Sequence, residues 1–297
     1  MNPQIWFLAT RPWSFSMTAI SVGVGGALAA LHKTFDLWLF LVTLLGAIAV
    51  HAATNLINDY FDYKRGVDRP GAPTTLYRPH PLVQGLIAPN AVLKVSLGLY
   101  LLAALAAFYL LWVTGPVLLG FILVGLLASF FYTADPVRYK YIALGELSVF
   151  LMWGPLMIGG AYFVQTGELS LQAVAISIPF GVLVALVLLA NNLRDIEYDG
   201  SVGIKTLGTL LGEANTMRLY QILAVLAYLA VVVLVVLRIL SPWGLLVFLS
   251  APLALNLIKT LQREIPKDAD ARTAQIDTLF GIFLILSLIL EKLLPLL

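Results

Sequence analysis

Long apolar runs separated by polar breaks make up nearly the whole chain. The runs Trp13–Leu31, Leu37–Ile57, Ala91–Trp112, Pro116–Tyr132, Ala143–Val164, Leu171–Leu189, Met217–Leu240, Trp243–Leu261 and Thr278–Leu296 each approach the roughly 20 residues a helix needs to cross hydrocarbon. The pattern predicts an all-α integral membrane protein of nine transmembrane helices, the fourth being the shortest. One domain over residues 1–297 is expected.

The polar breaks are unequal. Those at Thr114–Gly115 and Gln165–Ser170 are short, whereas Asn58–Asn90, Thr133–Ile142, Asn192–Thr216 and Gln262–Arg272 are long and fall on the opposite side. That side also receives all the lysines and arginines except Lys33, Arg238 and Lys292. By the positive-inside rule it is the cytoplasm, which gives a multi-pass cell-membrane protein with its amino terminus inside and, with nine spans, its carboxyl terminus outside. Insertion is expected through the spans themselves, since the first run follows Arg11 directly and shows no small-residue cleavage site.

Composition agrees: 60% of residues are hydrophobic and 11% charged, against roughly 25% charged in a soluble domain. The absence of cysteine excludes disulfides, thiolate metal sites and a cysteine nucleophile, and the scattered His32, His51 and His80 argue against a histidine metal centre. A net charge of +2 gives no reason to expect a nucleic-acid partner.

The chemistry is concentrated where two runs end. "NLINDYFDYKRGVD" (Asn55–Asp68) follows the second run and "NNLRDIEYD" (Asn191–Asp199) follows the sixth, four spans later and so with the same orientation. A carboxylate near hydrocarbon costs on the order of 2.5–3.5 kcal/mol, so acids clustered there need a charged partner. Asn55-x-x-x-Asp59 and Asn191-x-x-x-Asp195-x-x-x-Asp199 form a weak parallel repeat, and residues four apart stack on one helical face about 5–6 Å apart. Asp59 and Asp62, three apart, also share a face. Such hard oxygen donors suit Mg²⁺, which completes its shell with water and phosphate oxygens. Two such ends facing one another would hold a diphosphate, with Lys64, Arg65, Arg78, Lys140, Arg194 and Lys205 near enough to neutralise it. The competing reading is that these acids and amides only cap helices at the water interface. His51, one turn before Asn55, reads first as a hydrogen-bonded helix residue.

At these residues the sequence resembles the UbiA superfamily of intramembrane prenyltransferases. The ordered set "RPWSF" (Arg11–Phe15), "NLINDYFDYKRGVD", "RPHPLVQGLI" (Arg78–Ile87), "YTADPVRYKYIALGEL" (Tyr132–Leu147) and "NNLRDIEYDGSVGIKTLGTLLG" (Asn191–Gly212) carries the resemblance. The first acidic motif, with Gly66 four residues after Asp62 and the next acid at Asp68, looks like the branch that prenylates 1,4-dihydroxy-2-naphthoate in menaquinone biosynthesis. The resemblance implies a bundle around a central cavity, capped on the cytoplasmic side by the loops after helices 2 and 6.

It also implies that Asn55, Asp59, Asp62, Asp195 and Asp199 bind Mg²⁺, with Asp59, Asp195, Asp199 and Tyr139 acting in catalysis. Asn55, Arg65, Asp68, Arg78, Lys140, Asn192, Arg194 and Lys205 would bind the diphosphate, with Asp68 and Arg78 doing so from the cap. The implied partners are an isoprenyl diphosphate such as geranylgeranyl diphosphate, an aromatic acceptor and the bilayer. Ionisation would give an allylic carbocation, with Tyr139, Tyr60 and Tyr132 as candidates for its stabilisation. Two alternatives stand beside this: the same fold with another acceptor (4-hydroxybenzoate, homogentisate, a haem, chlorophyllide or a glycerol phosphate ether), and a cation-coupled transporter. The second fits less well, because transporter sites lie near the midplane.

Overall fold

The computed structural model describes residues 3–76 and 79–296. Among them there is no β-strand, only an isolated bridge between Ile142 and Lys205. Helix is what a spanning segment requires, since hydrocarbon offers no partner for backbone N–H and C=O groups.

A short helix α1 (Pro3–Ala9) leads into α2 (Pro12–Leu31), α3 (Leu37–Lys64), α4 (Pro89–Thr114), α5 (Leu118–Phe131), α6 (Gly145–Thr166), α7 (Leu171–Arg194), α8 (Ile196–Ser201), α9 (Leu207–Val236), α10 (Pro242–Leu261) and α11 (Ala269–Leu293). Eight helices among the described residues, α2, α3, α4, α6, α7, α9, α10 and α11, are long and apolar enough to cross a membrane. The predicted fourth span corresponds to α5, which has 14 residues. At 1.5 Å per residue such a helix reaches about 21 Å, short of a hydrocarbon core of about 30 Å.

Several helices outrun the apolar windows that announced them. α3 continues past Ile57 to Lys64, α9 begins at Leu207 instead of Met217, and α11 begins at Ala269 instead of Thr278. Hydropathy marks where a helix is apolar; its caps decide where it starts. At α9, Thr206 N donates to Thr209 Oγ1 (2.8 Å) and Thr209 N donates to Thr206 Oγ1 (3.2 Å), a reciprocal cap that starts the helix among polar residues.

α7 is the central helix: its most apolar window is 67% buried, against 17% for α4, whose surface is left for lipid. Phe180 and Leu183 of α7 join Leu28 of α2, Ile158 of α6 and Phe280 of α11 in one fully or nearly fully buried core. Helices in hydrocarbon gain little from hydrophobicity itself, so close packing through small residues carries the association. Where α6 crosses α7, a Cβ on Gly181 would lie 2.9 Å from Phe150 O and 3.0 Å from Gly154 Cα, so the backbones touch only because both positions are glycine. α6 is irregular at this crossing. Met152–Leu156 is wound as a π-helical turn around Pro155, and Ser21 Oγ donates to the Trp153 carbonyl at 2.7 Å.

This packing gives a contrast that thermal unfolding in detergent can measure. Gly181→Ala is expected to destabilise by about 1–3 kcal/mol through overpacking. Gly98→Ala, in α4 with open space around its Cβ, is expected to be neutral or stabilising by up to about 1 kcal/mol. Equal effects of the two substitutions contradict the account.

Candidate active site

The last turns of α3 carry Asn55, Asn58, Asp59 and Asp62, and the helix ends where Gly66 takes a left-handed φ of 73°. The chain then folds back, with Val67 N and Asp68 N donating to Asp62 O at 2.9 and 3.1 Å. The second motif ends the same way: Gly203 has φ 73°, and Ile204 N donates to Asp199 O at 2.9 Å. These matching turns set the register of the internal repeat. Asn55 corresponds to Asn192, Asn58 to Asp195, Asp62 to Asp199 and Gly66 to Gly203, one residue away from the register that the Asn-x-x-x-Asp spacing suggests. The second motif is also not one continuous helix. α7 stops at Arg194, yet Asp199 N still donates to Asp195 O at 2.9 Å, so the helical spacing survives the break.

The acids are nearly all buried, and each of four has a partner within the chain. Arg11 pairs with Asp59, Lys140 Nζ lies 2.7 Å from Asp62 Oδ2, and the Tyr141 hydroxyl donates to Asp62. Arg194 grips Asp195 through Nε (2.8 Å) and Nη2 (2.9 Å). Asp68 accepts from His80 Nε2 at 2.9 Å and from Thr74 Oγ1 at 2.6 Å, and His80 Nε2 also lies 3.9 Å from Asp59. Among the described residues no basic side chain pairs directly with Asp199. Burial and the charges of Asp195 and Asp62 push its carboxyl up to about 7, against the opposing pull of Lys140 and Arg194. Asp62 and Lys140 both influence the Asp199 carboxyl, so the second acidic motif lies within electrostatic reach of the first. Burial would lower the pKa of Lys140, but the charge of Asp62 outweighs it and holds the ammonium above its ordinary value.

A cavity of about 890 Å³ opens at this cluster. Its polar end is lined by Arg11, Ser14, His51, Asn55, Asn58, Lys140 and Asn191, and by Lys267, Asp268 and Asp270 at the start of α11. It continues past Tyr132, Tyr139 and Trp153 to an apolar end at Leu110, Phe121 and Val164. Such a shape suits a molecule with a charged head and a greasy tail.

The anticipated residues separate into groups. Asn55 and Lys140 line the cavity, whereas Asp59, Asp62, Asp195 and Asp199 stand behind its lining. Asp59 is bonded to the lining residue Arg11, Asp62 to the lining residue Lys140, and Asp195 to Arg194, which also bonds the lining residue Asn191; Asp68 joins them through His80. Arg194 is there too, but engaged with Asp195, Asp270 (2.9 Å) and Asn191 Oδ1 (2.5 Å). Asn192 donates to Glu146 Oε1 at 2.8 Å and braces α7 on α6. Tyr139 faces the cavity with its hydroxyl donating to Ala128 O (2.6 Å) and bonded to Ser148 Oγ (2.8 Å). Arg65 points away: it bonds Thr133 O (2.6 Å) and Asp135 (2.8 Å) and stacks on Phe61, tying the 133–141 loop to α3. Lys205 is exposed, and its recorded bonds are main-chain ones with Tyr141 O and Ala143 N. Tyr60 packs with Leu56, Leu82 and Val92 away from the cavity. Arg78 lies outside the described residues.

Four contributors went unread as site residues in the sequence: Arg11, Asn58, His80 and Asp270. Arg11 and His80 lie inside the "RPWSF" and "RPHPLVQGLI" segments, so the signal was present without a role. Asp270 had none, because its contact with Arg194 spans 76 residues of sequence.

The chain belongs to the UbiA prenyltransferase family, whose model matches residues 18–286, and it is a prenyltransferase of that family. It is 34% identical to the 1,4-dihydroxy-2-naphthoate octaprenyltransferase of Bacillus subtilis (strain 168), over 97% of this chain and 93% of that protein. It is 32% identical to UbiA prenyltransferase domain-containing protein 1 of Homo sapiens, over 96% of this chain and 83% of that one. Among solved structures, its fold is similar to the apo UbiA homolog from Aeropyrum pernix K1 (TM-score 0.71, 17% identity, 91% and 97% of the two chains). It is also similar to a UbiA homolog from Archaeoglobus fulgidus bound to GPP and Mg²⁺ (TM-score 0.67, 15% identity, 95% and 99%).

The Asp68 contacts yield a prediction. Burial raises its carboxyl, but the hydrogen bonds from His80 and Thr74 and the charges of His80 and Lys140 prevail and bring it from 3.8 to about 2. A depressed carboxyl stabilises above its unfolded value and loses that contribution as pH falls through about 2, so at neutral pH the loop is fully held. Asp68→Ala is expected to speed limited proteolysis between Arg65 and Ala88 several-fold at neutral pH while moving the thermal midpoint of the bundle little. An unchanged cleavage rate contradicts this role.

Proposed function

We propose that the protein transfers a polyprenyl group from an isoprenyl diphosphate to an aromatic acceptor, 1,4-dihydroxy-2-naphthoate, with Mg²⁺, as a step in menaquinone biosynthesis. The observation that carries the reading is that two basic residues lining the polar end of a largely apolar cavity, Arg11 and Lys140, are bonded directly to the acids of the first motif, while the charge of Lys140 also reaches Asp199 of the second. The naphthoate acceptor is supported by the Bacillus subtilis relative and by the form of the first acidic motif. Mg²⁺ and the allylic diphosphate are supported by the Archaeoglobus fulgidus homolog, which was solved with both GPP and Mg²⁺.

The residues present fit the metal. Asp59, Asp62, Asp195 and Asp199 offer only oxygen, and Asn55 Nδ2 is engaged by Thr10 O (2.9 Å) and Ser14 Oγ (3.3 Å), which leaves Oδ1 as its ligand atom. Asp199, half-buried near other acids and without a directly paired basic side chain among the described residues, is a carboxylate that a cation would complete. Held by Asn55 Oδ1, Asp59, Asp62, Asp195 and Asp199, Mg²⁺ would supply neutralising charge for the diphosphate and Lewis acidity to ease its departure. The chain's own residues do the rest. Lys140 and Arg11 exchange their carboxylates for phosphate oxygens, so the departing diphosphate meets positive charge already in place. The faces of Tyr139 and Tyr132 stabilise the allylic cation without offering a strong nucleophile, and the apolar walls exclude water that would hydrolyse it. The deep end of the cavity receives the prenyl tail.

In this reading the loops after α3 and α7 close over the diphosphate. Tyr198 Oη donates to Val67 O at 2.5 Å, and Lys205 N to Tyr141 O at 3.2 Å, contacts that tie the two loops and the 133–141 segment into a cap. Residues 1–297 form one domain, α5 completes a set of nine spans, and the acidic end faces the cytoplasm of the cell membrane, where the excess of lysine and arginine lies.

The test is turnover of the purified protein with Mg²⁺, geranylgeranyl diphosphate and a panel of aromatic acceptors, with products identified by mass spectrometry. Prenylation of 1,4-dihydroxy-2-naphthoate above the other acceptors is expected. Asp59→Ala and Asp195→Ala are expected to lower turnover by at least about 10²-fold, the scale of losing one electrostatic contact to developing charge, while the protein still purifies folded. No product with any acceptor contradicts the activity, and undiminished turnover in both variants returns the acids to helix capping.

A further inference from the structure

His51 lines the cavity four residues before Asn55, and both of its ring nitrogens are hydrogen-bonded: Nδ1 to Thr18 Oγ1 at 2.8 Å and Nε2 to Ser14 Oγ at 3.1 Å. The direction of these bonds follows from the groups at either end. Trp153 Nε1 can only donate, and it donates to Thr18 Oγ1 at 3.1 Å. The Arg11 carbonyl can only accept, and it accepts from Ser14 Oγ at 2.7 Å. Ser14 has one proton, given to Arg11 O, so Ser14 Oγ must accept from His51 Nε2–H. His51 Nδ1 is then the acceptor, and it takes the Thr18 proton. A neutral His51 is therefore the Nε2–H tautomer, with the chain running one way from Trp153 to Thr18 to His51 to Ser14 to Arg11 O.

The same polarity reaches Asn55. Ser14 Oγ also accepts from Asn55 Nδ2 at 3.3 Å, and Thr10 O accepts from that nitrogen at 2.9 Å. Thr10 O can only accept, and the Ser14 proton is already given to Arg11 O, so the amide is held with Nδ2 toward Thr10 and Ser14 and Oδ1 as its remaining atom. A Ser14 turned to donate to His51 would lose its bond to the Arg11 carbonyl, on the residue whose guanidinium holds Asp59. The ring itself is fixed by edge contacts with Phe15 (centroids 5.3 Å apart) and Trp153 (5.0 Å). Trp153 lies in the π-helical turn of α6, so that irregular turn supplies the donor that starts the chain.

We propose that His51 is a positioning residue for cation and diphosphate binding: through Ser14 it fixes the Asn55 amide so that Oδ1, and not Nδ2, is presented to the metal. This rests on the reading of Asn55 as a ligand. Residues that orient a metal ligand typically contribute about 10–100-fold in affinity, and that scale sets the expected effect.

The experiment uses the full chain in detergent and reads binding of Mg²⁺ in the presence of inorganic diphosphate, by thermal stabilisation and by titration calorimetry, for the wild type, His51→Phe, His51→Gln and Ser14→Ala. His51→Phe and Ser14→Ala are expected to weaken Mg²⁺ binding at least about tenfold. His51→Gln, whose amide can place an N–H near the Nε2 position, is expected to recover most of the loss. ¹⁵N-histidine spectra, with only three histidines to assign, are expected to show the Nε2–H tautomer at His51. Wild-type binding in folded His51→Phe, or no difference between His51→Phe and His51→Gln, overturns the proposal. An Nδ1–H tautomer in the wild type overturns it as well, even if the two substituted proteins fail to fold. Failure of the wild type itself to bind Mg²⁺ and diphosphate would instead overturn the reading of the site.

Discussion

The constraint that organises this protein is that carboxylates set at the ends of apolar helices must be neutralised. Asp59 and Asp62 are held by cations from elsewhere in the chain, Arg11 and Lys140, and Asp195 by its neighbour Arg194, which also reaches Asp270. Three pairs join segments that would otherwise be independent: Arg11–Asp59 ties the residue before α2 to α3, Lys140–Asp62 the 133–141 loop to α3, and Arg194–Asp270 the end of α7 to the start of α11. Removing one partner from a buried ion pair leaves an uncompensated charge, typically a loss of about 3–5 kcal/mol. The same three bonds thus hold the polar end of the bundle together and store the charges that the proposed chemistry uses. Asp199 stands apart, because among the described residues no basic side chain pairs with it directly.

The fold places this charged cluster at one end of a cavity and gives the rest of that cavity to hydrocarbon. α7, the most buried of the spanning helices, leads into the second motif, and it crosses α6 closely at Gly154 and Gly181, where α6 is kinked. The kink lies in the π-helical turn of α6, which brings Trp153 to the wall beside His51. Charge at the mouth, aromatic rings next and aliphatic side chains beyond follow the order of diphosphate, allylic carbon and tail in an isoprenyl diphosphate.

Much of this was legible in the sequence because the signals were local. Apolar runs located the spans, and Asp59 with Asp62, or Asp195 with Asp199, could be placed on shared faces by spacing alone. Helix limits were less legible, since α9 and α11 begin among polar residues that a hydropathy window discards. The register of the repeat was missed by one residue, because it is defined by the turns at Gly66 and Gly203 and not by the first asparagine of each motif. The basic residues were least legible. Charge and proximity in sequence made Arg65 and Lys205 as attractive as Lys140, but Arg65 braces a loop and Lys205 lies at the surface. Arg11 reaches Asp59 across 48 residues, a contact that only the packing of α2 on α3 creates.

If the chain's own cations occupy the carboxylates until metal and diphosphate replace them, the two ligands must bind as a coupled pair. Mg²⁺ alone has to displace a lysine or arginine into an apolar site, and diphosphate alone meets buried carboxylates; together each relieves the other. Titration calorimetry of the full chain in detergent, with Mg²⁺, inorganic diphosphate and then each in the presence of the other, measures this directly. The account predicts that each ligand tightens the other by the same factor, at least about tenfold, within the 1–3 kcal/mol usual for coupled sites. Affinities that do not change when the second ligand is present would contradict it.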